Sequence, residues 1–117
     1  MTNKLPVFVF GSNRQGRHGA GAALYAVNHH SAKYGQARGR QGNSYAIVTK
    51  ELRPTHPPVT LNEVWDQVED FRAYVSEHWY EEFQLTKIGC GLAGFAEQDI
   101  APMFNDFPSN VIKPEGW

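Results

Sequence analysis

Three places in this sequence hold residue types that chemistry could use. The first is a glycine-rich stretch, Gly11-Ser12-Asn13 followed by Gly16, Gly19, Ala20 and Gly21. The second is Gly89-Cys90-Gly91-Leu92-Ala93-Gly94-Phe95. The third is Lys50, which follows the apolar run from Ser44 to Thr49. A glycine loop between a strand and a helix exposes backbone N–H groups at a helix N-terminus, where they can hold a phosphate. The plainer alternative is a tight turn that holds nothing. Two such loops in one small chain can converge on a single anion. A lysine beside them either contacts the phosphate or acts as a nucleophile. The second role needs the neutral amine, and at an ordinary pKa of ~10.4 only roughly one lysine in two thousand is neutral at pH 7. Burial or a nearby cation would be required, with Arg38, Arg40 and His56 as candidates from flanking loops.

These residues need elements to position them. Val7 to Phe10 is branched and aromatic, as a buried strand requires. Ala22, Ala23, Leu24, Ala26 and Val27 then predict a helix from about Ala20 to Lys33, with Leu24, Val27 and Tyr25 towards a sheet and Gly35 closing it. The polar, glycine-rich stretch from Tyr34 to Asn43 reads as a loop. Ser44 to Thr49 is a second strand. Pro54, Pro57 and Pro58 forbid a helix between Glu51 and Val59. Thr60 and Glu63 form a capping box, and Val64, Val68, Phe71 and Val75 repeat at helical spacing behind it. Phe83 to Ile88 is a third strand, Glu97 to about Phe104 a third helix, and Asn110 to Lys113 a short last strand. Strands alternating with helices predict an α/β domain with a largely parallel sheet covered on both faces, most simply in three layers. In such sheets ligands bind at the carboxyl ends of the strands.

Bulk properties narrow the classes. The 117 residues suffice for one domain, spanning 1–117, with a real core. A hydrophobic content of 41% and a charged content of 20% fit a globular protein. The net charge of -1 gives no global field to recruit nucleic acid. No apolar run approaches bilayer length, and the first ten residues read as a first strand and not as a signal peptide. The single cysteine leaves no internal disulfide and fits a reducing compartment, so a cytoplasmic location is expected.

Other motifs weaken on inspection. Gly89, Gly91 and Gly94 match a dinucleotide fingerprint, but the ribose-binding acid expected ~20 residues on falls among Pro114 and Glu115 at the C-terminus. Gly11 to Gly16 has P-loop spacing, yet Arg17-His18 replaces the lysine and hydroxyl pair. None of His18, His29, His30, His56 and His78 pairs with another histidine or Cys90 at metal-site spacing, so neither a metal nor a cofactor is expected. Cys90 reads as a small packed residue before it reads as a nucleophile. Arg14, Arg17, Arg38, Arg40 and Lys50 are candidates for a positive patch.

The stretch from Gly19 to Ala23, Thr49-Lys50 with the prolines after it, and Gly89-Cys90-Gly91-Leu92 resemble, in that order, the macrodomain superfamily. The likeness runs from about Val7 to Val111. It is strongest to the lysine-dependent branch, the terminal ADP-ribose glycohydrolases and the antitoxins that remove ADP-ribose from DNA. The resemblance implies a minimal three-layer α/β/α macro-like domain that binds ADP-ribose. It implies Asn13, Gly19, Ala20 and Gly21 at the distal ribose and diphosphate. It implies Gly89, Cys90, Gly91, Leu92, Ala93, Gly94 and Phe95 around the diphosphate, and Lys50 as the catalytic residue. The implied activity is hydrolysis of an ADP-ribosyl bond on nucleic acid, protein or a small molecule; a non-catalytic sensor of an NAD-derived nucleotide is the alternative. Two positions depart from the pattern. Ala93 stands where terminal glycohydrolases carry an aspartate. The family's early strand, with its adenine-binding aspartate, has no counterpart ahead of Val7, so Phe95 or Trp117 is expected to stack on the base.

Overall fold

The computed structural model describes residues 5–117; the sequence expectation for the first ten residues falls on residues 1–4 in part, which lie outside the described residues. The elements are β1 (Val7–Asn13), α1 (Gly21–His29), β2 (Gly39–Gln41), β3 (Ser44–Lys50), α2 (Leu61–Glu77), β4 (Phe83–Leu85), α3 (Glu97–Ile100), a 3-10 turn (Ala101–Phe104) and β5 (Val111–Ile112). They form an α/β domain around a mixed five-stranded sheet in the order β2-β3-β1-β4-β5. β1 is parallel to β3 and β4, β4 is parallel to β5, and only β2 runs antiparallel. Among the described residues, no helix is long and apolar enough to cross a membrane.

Alternation along β1 feeds two separate cores, because successive side chains leave a strand on opposite faces. Val7 and Val9 join the large cluster with Val64, Val68, Phe71 and Val75 of α2, all buried. The heptad-like spacing of those four residues thus does what its periodicity predicts. Phe10 joins the smaller cluster with Ala23, Ala26, Ala32 and Ala46, and Phe8 packs at its edge.

α2 starts where its cap says it should. Thr60 accepts from the Glu63 N–H, and the Glu63 carboxylate accepts from the Thr60 N–H. The helix also repairs a sheet edge. β2 reaches only from Ser44 to Ala46 along β3, which leaves Val48 without a strand partner on that side. The Gln67 amide fills the gap, accepting from Val48 N–H and donating to Val48 C=O, both at 2.7 Å. A buried amide meeting a bare backbone pair satisfies all groups involved.

Several boundaries differ from the sequence expectation. α1 ends at His29 instead of Lys33, because Ser31 takes a φ of 58° and the Ala32 N–H turns back to Ala26 C=O. Gly35 is therefore not a helix cap; its N–H donates to Gly16 C=O at 2.7 Å. Leu24 and Tyr25 do not face the sheet. They are 40% and 49% exposed, while Ala23 and Ala26 make the contact. Small side chains let the helix sit close over Phe10. The stretch expected to be all loop contains β2, joined to β3 by a two-residue turn whose first residue, Gly42, has φ +59°. β4 stops at Leu85, after which Thr86 bonds Val9 C=O through both its N–H and its hydroxyl. The third helix is only a single α turn, and Pro102 accompanies its conversion to 3-10 geometry.

His30 lies flat on Phe8, with centroids 4.6 Å apart and planes 6° off parallel. Burial, and then the charge of neighbouring His29, hold its imidazole below the ordinary histidine range. The folded protein therefore takes up this proton less readily than the unfolded chain. Its stability is full above the unfolded pKa of ~6.5 and falls as pH drops through that value. His30→Phe keeps the stack and removes the proton. Relative to wild type, the variant is expected to gain stability between pH 7.5 and pH 5.5 in denaturant titrations; parallel pH profiles would clear His30 of this role.

Candidate functional site

The carboxyl ends of β1, β3 and β4 meet around one cavity of about 640 Å³. Its floor is backbone. A Cβ on Gly11 would stand 3.1 Å from Thr49 Oγ1 and 3.3 Å from the Gly89 nitrogen. Gly89 itself has φ +75°, and a Cβ there would meet the Phe95 ring at 3.0 Å. Both glycines are needed for the three chain segments to come this close.

One wall is the start of α1. Gly19, Ala20, Gly21, Ala22 and Ala23 line the cavity. The N-cap is Ala20, which has no side chain able to accept from the first-turn N–H groups. Those donors are left to solvent or a ligand. The facing wall is the loop after β4, where Gly89, Gly91, Leu92 and Ala93 line the cavity. Cys90, Gly94 and Phe95 donate their N–H groups within the chain, to Lys87, Gly91 and Gly89. No described residue accepts from the N–H groups of Gly91, Leu92 or Ala93. The loop crosses towards α1, so that a Cβ on Gly21 would lie 3.9 Å from the Leu92 methyl.

Three cations line the same space: Arg17, Lys50 and Lys87. Lys50, at the last position of β3, donates from Nζ to Leu92 C=O at 3.3 Å. Lys87 is paired with Glu97 at 3.2 Å. No aspartate or glutamate appears among the lining residues. The result is a concave site with amide donors on two walls, cations at its edge and apolar Leu52, Leu92 and Tyr34 among its lining.

The other expected residues are distributed as follows. Cys90, Gly94 and Phe95 do not line the cavity. Cys90 turns inward, its thiol 3.4 Å from Ile88 C=O, and burial and then Glu97 push its pKa up, away from thiolate chemistry. Phe95 and Trp117 are partly buried and pack against the large core. Trp117 also donates to Glu97 at 3.0 Å. Asn13 lines the cavity, but its side chain is occupied: it accepts from Arg17 N–H at 2.9 Å and donates to Arg17 C=O at 2.8 Å. The expected positive patch divides. Arg38 pairs with Asp70, Arg40 with Glu81 and Arg14 with both Glu51 and Glu63, and none of the three lines the cavity. His56, like Arg38 and Arg40, does not line the cavity. His18 is buried, with Nε2 facing Gln36 C=O at 2.9 Å and the Gln41 amide oxygen at 3.0 Å. Both partners accept, so Nε2 carries the proton. Among the described residues no group of three or more His, Cys, Asp or Glu could hold a metal ion.

Sequence reasoning missed Tyr34, Leu52, Thr86 and Lys87 as lining residues. Lys87 carried a signal, since it stands just ahead of the second glycine loop. Tyr34 carried none, because its place depends on the Gly16–Gly35 contact.

Comparison with known proteins adds the fold and nothing finer. No family model matches the chain. No curated protein matches it either. A solved structure from Bacteroides thetaiotaomicron, titled as a protein of unknown function, superposes with a TM-score of 0.59 at 14% identity, over 95% of this chain and 90% of that chain. At this identity the likeness is one of fold alone.

The two glycines of the second loop should respond differently to substitution. Gly89→Ala forces a side chain into positive φ and onto the Phe95 ring, and is expected to cost about 1–3 kcal/mol of stability. Gly91 has open space at its Cβ position. Gly91→Val should melt within a few degrees of wild type. Equal melting temperatures for both variants would show that the close approach at Gly89 is not required.

Proposed function

We propose that this cavity binds ADP-ribose or a related nucleotide diphosphate, in a three-layer macro-like arrangement, with the diphosphate held by backbone. The observation that carries the reading is the meeting of two unfilled donor sets. The residues of the uncapped first turn of α1 and residues 91 to 93, whose amides have no acceptor among the described residues, line the same space. Lys50 and Arg17 add positive charge with no lining carboxylate to oppose an anion. An uncapped helix start and a glycine loop are each ordinary features; facing each other across a cationic cavity, they suit a ligand with adjacent phosphates. The resemblance in sequence to the macrodomain superfamily points to the same ligand class.

Binding, rather than hydrolysis, is the reading the geometry supports best. A glycosidic hydrolase needs a group to move a proton at the reacting bond. Ala93 lines the cavity where the resembling glycohydrolases carry an aspartate, and no other carboxylate takes its place there. Hydrolysis is the second reading, favoured by one observation: Lys50 Nζ stands at the cavity and is held only by a carbonyl.

Calorimetric titration with ADP-ribose, NAD and AMP tests the first reading. Wild type is expected to bind ADP-ribose more tightly than AMP. Gly91→Val should weaken ADP-ribose by about 1–3 kcal/mol, the scale of lost buried hydrogen bonds, through blocked approach to the amides. Full affinity in the folded variant, or no binding of any nucleotide by wild type, would sink the proposal. Lys50→Arg separates the two readings, since it keeps the charge but removes the amine that could form a Schiff base. Wild type is expected to leave an ADP-ribosylated oligonucleotide or protein intact. Cleavage by wild type that Lys50→Arg loses, with a borohydride-trapped adduct on wild type alone, would make the hydrolase reading correct.

A further inference from the structure

Arg17 differs from the other arginines. Arg14, Arg38, Arg40, Arg53 and Arg72 each meet a carboxylate. No described carboxylate lies within ion-pair reach of Arg17, and its exposed side chain lines the cavity. Its backbone, by contrast, is fixed from every side. Asn13 holds both its N–H and its C=O. Ahead of it, Gly16 donates to Asn13 C=O and accepts from Gly35 N–H, packed so closely that a Cβ on Gly16 would come 2.6 Å from the Gly35 carbonyl carbon. Behind it, His18 is 1% exposed and bonded to Gln36 and Gln41. A free guanidinium on a hydrogen-bonded backbone suits a bidentate phosphate contact, because only the side chain is left to be ordered on binding.

Charge matching gives this contact a purpose. Resting on the nucleotide diphosphate reading of the cavity, we propose that Arg17 determines specificity by gripping the second phosphate of a pyrophosphate, so that the site separates nucleoside diphosphates from monophosphates. A single phosphate is satisfied by the amides of α1 and the facing loop together with Lys50. Lys87 already shares its charge with Glu97. Among the described residues that line the cavity, the additional charge of a second phosphate then has Arg17 left to meet. Asn13 then acts as a positioning residue, through Arg17 and not on the ligand.

The test compares ADP with AMP, which differ only by that phosphate, on wild type, Arg17→Gln, Arg17→Lys and Asn13→Ala. Wild type should prefer ADP. Arg17→Gln should lose at least about tenfold in ADP affinity and less than about threefold for AMP, in line with loss of a charge-assisted bidentate contact. Arg17→Lys, which keeps the charge without the fork, should fall between. Asn13→Ala should lower the ADP to AMP ratio in the wild-type background and leave it unchanged in Arg17→Gln, which a merely structural role would not do. Inorganic pyrophosphate, titrated alone, should lose affinity in Arg17→Gln as ADP does, showing that the phosphates and not the nucleoside are read. An unchanged ratio in Arg17→Gln, or equal losses for ADP and AMP, overturns the specificity role while leaving the nucleotide reading standing. Failure of wild type to bind any of these ligands overturns the specificity role, and failure to bind ADP-ribose as well overturns both.

Discussion

The site depends on a place where the backbones at Gly11 and Gly89 close against the Thr49 side chain with no room for another. Gly11 in β1, Thr49 in β3 and Gly89 after β4 approach so closely that the Gly11 Cβ position is already within 3.1 Å of Thr49 and 3.3 Å of the Gly89 nitrogen. Thr49 closes the contact by donating its hydroxyl to Ser12 C=O at 3.3 Å. A parallel sheet splays as its strands twist, which opens a crevice beyond their carboxyl ends. Here the glycines make the base of that crevice peptide backbone. Everything above it is then presented by segments of chain leaving the same point: the loop to α1, Lys50 and the loop from Gly89.

Those segments are held by carboxylates spent away from the cavity. The Glu51 side chain is 1% exposed and accepts from Arg14, Gln15 and Arg53. Arg53, through side chain and backbone, and then Arg14 and Gln15 hold its carboxyl well below the usual carboxylate range. Arg14 also reaches Glu63 at 2.6 Å, so the residue that caps α2 is tied to the loop after β1. One cluster thereby fixes the start of α2, the proline-containing segment before it and the first loop of the site. Its Glu51 carboxylate stays ionised across neutral pH, and neither Glu51 nor Glu63 lines the cavity.

How much of this was legible in the sequence varies by the range of the interaction. The α2 face and its cap were readable because both are local: a period of side chains and a residue pair three apart. The two glycine loops and Lys50 were readable for the same reason, each being a short run with its own physical signature. β2 was not, since a three-residue strand at a sheet edge has almost no periodicity, although the Gly42-Asn43 pair ahead of β3 is a hairpin signal. α1 was overextended because nothing local marks Ser31 as the residue that turns. The cationic patch was misjudged most. Which arginines reach the cavity is decided by partners 30 or more residues away in sequence, such as Asp70 for Arg38 and Glu81 for Arg40.

That pairing pattern shapes how the cavity attracts a ligand. With a net charge of -1 the molecule as a whole offers an anion no pull from a distance. Most of its arginines are neutralised by neighbours, and exposed charges more than a Debye length away, about 8 Å at physiological salt, are screened. What remains is local: Arg17 and Lys50 beside bare amides, in a concavity where fewer waters compete. On the proposed reading such a site suits a small, compact anion better than a long polyanion, because a polyanion gains from cations spread along a surface and here they are gathered at one point. The same arrangement limits chemistry. Amides and a guanidinium hold an anion well but shuttle no proton, and no aspartate or glutamate lines the cavity. On the proposed reading the cavity is therefore a grip on phosphate, and Lys50 is the lining residue through which the hydrolase reading would act.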